Sequence, residues 1–127
     1  MRLIIVRHAH AKSGDPDTLR PLSARGRDEA RALAERLADE APELVVASPL
    51  LRARETAAAI AKATGAELRV DERLAPGAVA DDLLAAIDGA TGTVVTVGHQ
   101  PDCSEIALEL GAGDLEFPPA GHAVIEL

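Results

Sequence analysis

The fold is indicated first by residues 3–8, which read Leu-Ile-Ile-Val-Arg-His. The four aliphatic residues form a short run without polar alternation, which is the pattern of a strand buried on both faces of a sheet. Arg7 and His8 follow at once, so a cation and an imidazole stand just past the end of the predicted strand. Open parallel sheets bind their ligands at that position.

Two further aliphatic runs end in the same way. Residues 44–47 are followed by Ser48-Pro49, and residues 93–97 are followed by Gly98-His99. Because the carboxyl ends of parallel strands meet at one edge of a sheet, we expect the polar residues after all three strands to lie close together.

Segments with helical spacing lie between the predicted strands. The patterns predict helices at 25–40 with Ser23 as the cap, from Ser48-Pro49 to about 63, at 79–87 and after Pro101, and further strands at 67–70 and 122–127. Strands that alternate with helices favour a mostly parallel sheet, so the fold class is α/β, a three-layer α/β/α sandwich. The length of 127 residues predicts a single domain spanning 1–127.

The composition narrows the range of functions. Apolar residues make up 47% of the chain, but it has one Phe and no Trp or Tyr, so the predicted core is aliphatic. A formal net charge of -8 repels nucleic-acid backbones and anionic membrane surfaces, which argues against both partners. A phosphorylated ligand would also be repelled unless positive charge is concentrated locally at its site.

The single cysteine and the apolar runs indicate the setting. Cys103 has no partner for an internal disulfide, which fits a reducing, cytoplasmic location. The N-terminal apolar run is too short for a signal-peptide core, and no stretch is long enough to cross a bilayer. We interpret Cys103 as a small buried core residue and His122 as structural.

Positive charge can converge at the predicted sheet edge. Arg52 lies four residues beyond Ser48 in the first turn of its helix, within reach of Arg7. The helices that follow Ser48 and His99 would point their amino ends at the same edge, where free N–H groups favour an anion. Paired guanidinium groups match the geometry of a phosphate, so the sequence predicts a phosphate pocket.

Four sequence motifs, taken in their order along the predicted strands and helices, resemble those of the histidine phosphatase superfamily. They are Arg7-His8-Ala9, then Pro21-Leu22-Ser23 with Gly26, then residues 48–53 (Ser-Pro-Leu-Leu-Arg-Ala) with Thr56, then Gly98-His99. Together they cover most of the chain. The resemblance implies the phosphoglycerate mutase-like fold and a hydrolase that needs no cofactor.

The resemblance also implies roles at the positions that match. His8 would attack phosphorus to form a phosphohistidine intermediate, and water would then release phosphate. Arg7, Arg52 and His99 would hold the phosphoryl group, and Arg20 could reach it from the loop before Pro21. The attack requires a neutral His8 ring, which the neighbouring arginines should favour.

The sequence departs from the common family pattern at three positions. Ala9 and Gly14 stand where Gly and Asn are common, and Pro76 stands where many members carry a Glu general acid. An acid matters most for a poor alkoxide leaving group, whereas protonated imidazole leaves readily. The run Leu74 to Gly77 is similar to the phosphohistidine phosphatases of the SixA type.

Chain length favours the same interpretation. Only about fifty residues separate Ser48 from His99, which leaves no room for the cap subdomain of larger relatives. We therefore predict a phosphatase that removes phosphate from phosphohistidine on a signalling or phosphotransfer protein. The alternative is a small-molecule phosphomonoesterase acting on a small phosphoester. A mutase is third, since both cap and acid are missing.

Several alternatives stay open at this stage. A phosphate- or phosphoprotein-binding module without turnover is the rival from another class. The pair His8 and His10 could suggest zinc, but no carboxylate or cysteine cluster accompanies it, so we expect no metal. Candidates for a substitute proton donor are Asp15, Asp17, Asp71 and Glu72. Sparse aromatic content offers no interface anchor, which leaves the oligomeric state open.

Overall fold

A five-stranded sheet forms the centre of the molecule. The structure is a computed structural model and describes residues 1–127. The strands are β1 (Arg2–Arg7), β2 (Leu44–Ala47), β3 (Glu67–Val70), β4 (Thr93–Gly98) and β5 (His122–Glu126). Their order across the sheet is β3-β2-β4-β1-β5. All neighbouring pairs are parallel except β1 with β5, which is antiparallel.

Four α-helices and two short 3-10 helices connect the strands. The α-helices are α1 (Ala24–Ala38), α2 (Leu51–Thr64), α3 (Ala80–Ala86) and α4 (Asp102–Glu109). The 3-10 helices cover Asp17–Leu19 and Glu72–Leu74 and were not predicted. The longest helix has 15 residues, and no helix has both the length and the apolar character required to cross a bilayer.

Two aliphatic clusters hold the layers together. On one face of the sheet, Leu33 of α1 and Ile60 of α2 belong to the cluster around Val95. On the other face, Leu83 of α3 and Ile106 of α4 belong to the cluster around Ile5. Burial of each side chain removes apolar surface from water, and for a fully buried Leu or Ile this contributes about 1.5–3 kcal/mol to the free energy of folding. The three-layer α/β/α sandwich with a mostly parallel sheet is thus confirmed.

Most predicted boundaries agree with the structure to within two residues. Ser23 caps α1, where its hydroxyl accepts a hydrogen bond from the amide of Gly26 at 3.0 Å. Gly65 ends α2 in the left-handed conformation with φ of 76°, a position that suits a residue without Cβ. These local signals worked because each depends on residues close in sequence.

The predicted start of α2 at Ser48-Pro49 is wrong. The helix begins at Leu51, and its N-cap residue Leu50 makes no side-chain cap hydrogen bond. The hydroxyl of Ser48 instead lies 2.7 Å from Nε2 of His99, fully buried between two strands. A histidine distant in sequence therefore takes the hydroxyl that the local pattern assigned to a helix cap.

Gly26 should be sensitive to any side chain. A Cβ at this position would collide with the carbonyl oxygen of His10, which is held in place by the amide of Ser23 at 3.0 Å. We expect Gly26→Ala to lower the free energy of unfolding by about 1–3 kcal/mol. Gly14→Ala is the control, because its Cβ would meet only an ordinary contact at 3.7 Å from Arg20. Equal stability of the two variants in urea unfolding would contradict this account.

Candidate active site

Sheet register places the two histidines side by side. Arg7 pairs with Gly98 across the parallel strands β1 and β4, so His8 and His99 both follow directly after that pair. Their ring centroids are 5.2 Å apart, with the planes tilted by 58°. The structure thus brings together the residues predicted at the carboxyl edge of the sheet.

The hydrogen bonds of His8 determine which ring nitrogen is free. Its Nδ1 lies 2.7 Å from the carbonyl oxygen of Ala9, which can only accept, so Nδ1 carries the proton. The amide of Ala9 donates to Oγ1 of Thr56 at 3.1 Å, and this fixes the Ala9 peptide. In a neutral ring the lone pair is then on Nε2, which has no hydrogen-bond partner within the protein.

The surroundings of His8 keep its ring neutral. Burial is the main cause that lowers its pKa from 6.5 to about 4, and the positive charges of Arg52, Arg7 and Arg20 contribute to the same shift. The hydrogen bond to the Ala9 carbonyl acts in the opposite direction and is outweighed. At neutral pH the ring therefore offers an unprotonated nitrogen.

His99 differs from His8 in its free nitrogen. Its Nε2 contacts Ser48 Oγ, which already accepts from the amide of Leu50 at 3.3 Å and can donate its own proton to Nε2. That arrangement leaves the proton of His99 on Nδ1, an atom that is buried and has no hydrogen-bond partner. Burial lowers the pKa of His99 to about 4, with His8 and Arg52 contributing. His99 is thus a neutral ring with a donor to spare.

Two arginines contribute further donors. Arg7 donates from Nη1 to the carbonyl oxygen of Phe117 at 2.9 Å, while its buried Nε has no partner. Arg52 is 7% exposed and donates from Nη1 to the carbonyl oxygen of Asp17 at 2.9 Å. A buried donor without a hydrogen-bond partner costs folding free energy unless a ligand accepts its hydrogen bond. Nδ1 of His99 and Nε of Arg7 are such donors, and an anion could accept from both.

Arg20 lies at the same site, at its more exposed side. Its Nε donates to the carbonyl oxygen of Lys12 at 2.8 Å, and its Nη1 lies 3.0 Å from Oδ1 of Asp17. Its charge is close enough to lower the pKa of His8. The structure therefore places all five predicted site residues together: Arg7, His8, Arg20, Arg52 and His99.

Two of the proposed substitute acids are poorly suited to donate a proton. The hydrogen bond from Arg20 holds the pKa of Asp17 below its usual value, and Arg73 does the same for Asp71. Both carboxyl groups are therefore ionised at neutral pH. Pro76 stands in the loop where many family members have a glutamate, and it supplies no acid either.

Some supporting contacts were not predicted, although Thr56 itself belongs to the third sequence motif. Thr56 donates to the carbonyl oxygen of Arg52 at 2.8 Å while it accepts from Ala9, so it joins α2 to the residue after His8. A signal existed, because Thr56 follows Arg52 by four residues on one helix face. The contact of Arg7 with the Phe117 carbonyl involves a backbone atom, and no sequence signal points to it.

The remaining polar residues have other partners. Nδ1 of His10 lies 2.7 Å from Ser23 Oγ, so this ring is engaged by the loop. No group of three or more His, Cys, Asp or Glu residues is placed to hold a metal ion. Cys103 is buried, its thiol donates to the carbonyl oxygen of Val6 at 3.6 Å, and burial raises its pKa to about 12. Its interpretation as a core residue is confirmed.

Comparisons with known proteins agree with this geometry. The sequence profile of the histidine phosphatase superfamily (branch 1) matches residues 3–76. An uncharacterized protein of Picosynechococcus is 34% identical over 127 residues, covering 89% of this chain and 74% of the relative. The chain therefore belongs to the histidine phosphatase superfamily.

Two solved structures narrow the resemblance. A proposed phosphohistidine phosphatase SixA from Nakamurella multipartitia superposes with a TM-score of 0.84 at 33% identity, covering 97% of this chain and 82% of that one. The protein histidine phosphatase SixA, solved with tungstate, gives a TM-score of 0.87 at 27% identity, covering 100% and 88%. The chain is a SixA-like phosphatase, which makes it a hydrolase.

Proposed function

We propose that this chain removes phosphate from phosphohistidine on a signalling or phosphotransfer protein, with His8 as the nucleophile. One observation carries the proposal: the neutral His8 ring has an unpartnered Nε2 close to buried Arg52 and to two unpaired buried donors, Nδ1 of His99 and Nε of partly buried Arg7. A nucleophile next to several unsatisfied donors is the arrangement that phosphoryl transfer needs.

The reaction follows from the positions of protons and lone pairs. Nε2 of His8 forms a bond to phosphorus as the bond from phosphorus to the substrate nitrogen breaks, and the protonated substrate imidazole leaves with that electron pair. Arg7, Arg52 and Nδ1–H of His99 stabilise the charge on the phosphoryl oxygens. Water then attacks phosphorus, which releases phosphate and restores neutral His8.

The absence of a suitable acid at three of the expected positions favours a nitrogen leaving group. Asp17 and Asp71 are ionised at neutral pH because of their arginine partners, and Pro76 carries no acid. General acid catalysis contributes typically about 10²–10⁴ in rate, and an alkoxide leaving group would forgo that help. An imidazole that is already protonated needs no such donor.

The open form of the site supports a protein substrate. Between Ser48 and His99 the chain forms only α2, β3, a 3-10 helix, α3 and β4, all of which belong to the sandwich. No cap is inserted in this part of the chain, which leaves a phosphorylated side chain on a folded protein room to approach past the loop that carries Asp17 and Arg20.

The proposal is tested by substrate preference. The value of kcat/KM is measured for a small protein phosphorylated on histidine with phosphoramidate, and for a sugar phosphate, an ester whose alkoxide leaving group needs a proton. We expect the phosphohistidine protein to be preferred by at least about tenfold, since the ester lacks an acid to assist it. Preference for the ester would indicate a small-molecule phosphomonoesterase instead, and phosphate binding without turnover would indicate a binding module.

The pH dependence of His8 provides a separate prediction. Burial and the nearby arginines lower its pKa to about 4, so the nucleophilic neutral ring persists from neutral pH down to about pH 5. Below about pH 4 the ring gains a proton and attack stops. NMR titration of the ring signals, assigned with His8→Asn, measures this pKa directly. A ring that titrates at its ordinary value of 6.5 would contradict the buried, neutral nucleophile.

A further inference from the structure

Asp17 joins two of the arginines at the site. Its Oδ1 lies 3.0 Å from Nη1 of Arg20, and its Oδ2 lies 3.3 Å from Nη2 of Arg52. Its carbonyl oxygen also accepts from Nη1 of Arg52 at 2.9 Å. The carboxylate of Asp17 therefore lies between two cations that would face the phosphoryl group in the proposed reaction. This position is unexpected, because a carboxylate repels an anionic substrate.

Burial shows where this carboxylate lies. The Arg52 side chain is 8% exposed and the His99 residue 4%, whereas the Asp17 side chain is 62% exposed and that of Arg20 is 29%. The buried groups form the floor of the site and the exposed pair forms its rim. A phosphoryl group on the floor leaves the rest of its substrate to extend past the rim, and so past Asp17.

The charges of the site then match a single phosphoryl group. His8 and His99 are neutral, because burial lowers both pKa values to about 4. Arg7, Arg20 and Arg52 bring three positive charges, and ionised Asp17 removes one. The net charge of these four side chains is +2, which equals in magnitude the charge of a phosphoryl dianion. No positive charge is left over for a second anionic group, and the chain as a whole, with a net charge of -8, would repel one.

We propose that Asp17 is a specificity-determining residue that disfavours any substrate with a second anionic group beside its phosphoryl group. The inference rests on the proposed function, and it narrows the substrate class to phosphoryl groups carried by a neutral or cationic group. An imidazole side chain meets that condition. Sugar bisphosphates, phosphoglycerates and nucleoside polyphosphates do not.

The test uses binding, which does not require turnover. Calorimetry gives Kd for benzylphosphonate and for 4-carboxybenzylphosphonate, which cannot be hydrolysed and differ by one carboxylate. Their Kd ratio isolates the effect of charge, because any change in the orientation of Arg52 affects the shared phosphonate of both ligands equally. The ratio is measured for the wild type, Asp17→Asn, Asp17→Glu and Asp28→Asn.

Asp28 is the matched control. It pairs with Arg31 three residues later at 3.2 Å, as Asp17 pairs with Arg20, but on the exposed side of α1. Asp28→Asn removes the same charge from the chain and the same type of ion pair, at a position outside the site. It therefore separates an effect at the rim from an effect of net charge.

The expected result is specific to Asp17→Asn. In the wild type the carboxylated ligand should bind more weakly, and Asp17→Asn should shift the Kd ratio in its favour by about three- to tenfold at low salt. Asp17→Glu should restore the discrimination, Asp28→Asn should not change it, and 1 M salt should reduce it. An unchanged ratio in Asp17→Asn, or no binding of either ligand, would overturn the inference.

Measuring both turnover and the Kd ratio separates the two proposals. If His8-dependent turnover of phosphohistidine is absent while the Kd ratio shifts as expected, the proposed function fails and the charge selection by Asp17 stands. If turnover is present and the ratio does not move, the specificity role of Asp17 is wrong and the proposed function stands.

Discussion

His8→Ala is expected to abolish turnover of both phosphohistidine protein and p-nitrophenyl phosphate. The covalent step has no substitute nucleophile, because Nδ1 of His99 carries its proton and Nε2 is held by Ser48. Removal of a nucleophile typically costs several orders of magnitude, so we expect kcat to fall by at least about 10⁴-fold. Phosphate release is followed for hours, so that a residual rate this far below that of the wild type can still be measured.

A trapping experiment distinguishes covalent catalysis from assisted attack by water. Wild-type protein mixed with ³²P-labelled substrate and quenched in alkali should carry an acid-labile, alkali-stable label on His8, and His8→Ala should carry none. His122→Ala is the control, since that ring lies at the start of β5 near Arg36 and Glu40, outside the set of residues predicted to hold the phosphoryl group. Turnover by His8→Ala within tenfold of the wild type would show that His8 is not the nucleophile.

Much of the fold follows from short-range patterns in the sequence. Runs such as residues 3–6 and 93–97 have the length and β-branched content of buried strands, and Ser23 and Gly65 mark helix ends through contacts with near neighbours. The predicted convergence of His8 and His99 needed only that both follow parallel strands. It did not depend on the family profile, whose match ends at residue 76, before His99.

Contacts between distant residues could not be predicted in this way. Ser48 has the sequence pattern of a helix cap, but its partner is His99, 51 residues away. Asp17 resembles a solvated loop residue, and its contact with Arg52 spans 35 positions and depends on how the loop folds over α2. In both cases the local sequence allowed the predicted role, but tertiary packing brought a distant residue close enough to become the hydrogen-bond partner.

Arg52→Lys is expected to have the second largest effect. Arg52 is buried, holds the Asp17 carbonyl with Nη1, and presents a planar set of donors beside His8. Lysine keeps the charge but cannot donate two parallel hydrogen bonds, so charge alone does not restore the phosphoryl contact. We expect kcat/KM to fall by about 10²-fold, and Arg52→Ala to lose about 10³-fold.

The division of this loss between kcat and KM tests what Arg52 does. If its guanidinium contacts mainly the charge that develops during transfer, kcat should fall more than KM rises. Arg31→Lys is the matched control, because Arg31 lies on the exposed side of α1 and pairs only with Asp28. A fall below threefold in Arg52→Lys, with the fold intact by thermal unfolding, would mean that Arg52 supports the Asp17 loop and does not bind the phosphoryl group. In that case the charge match at the site would depend on Arg7 and Arg20, and the selection attributed to Asp17 would act through Arg20 alone.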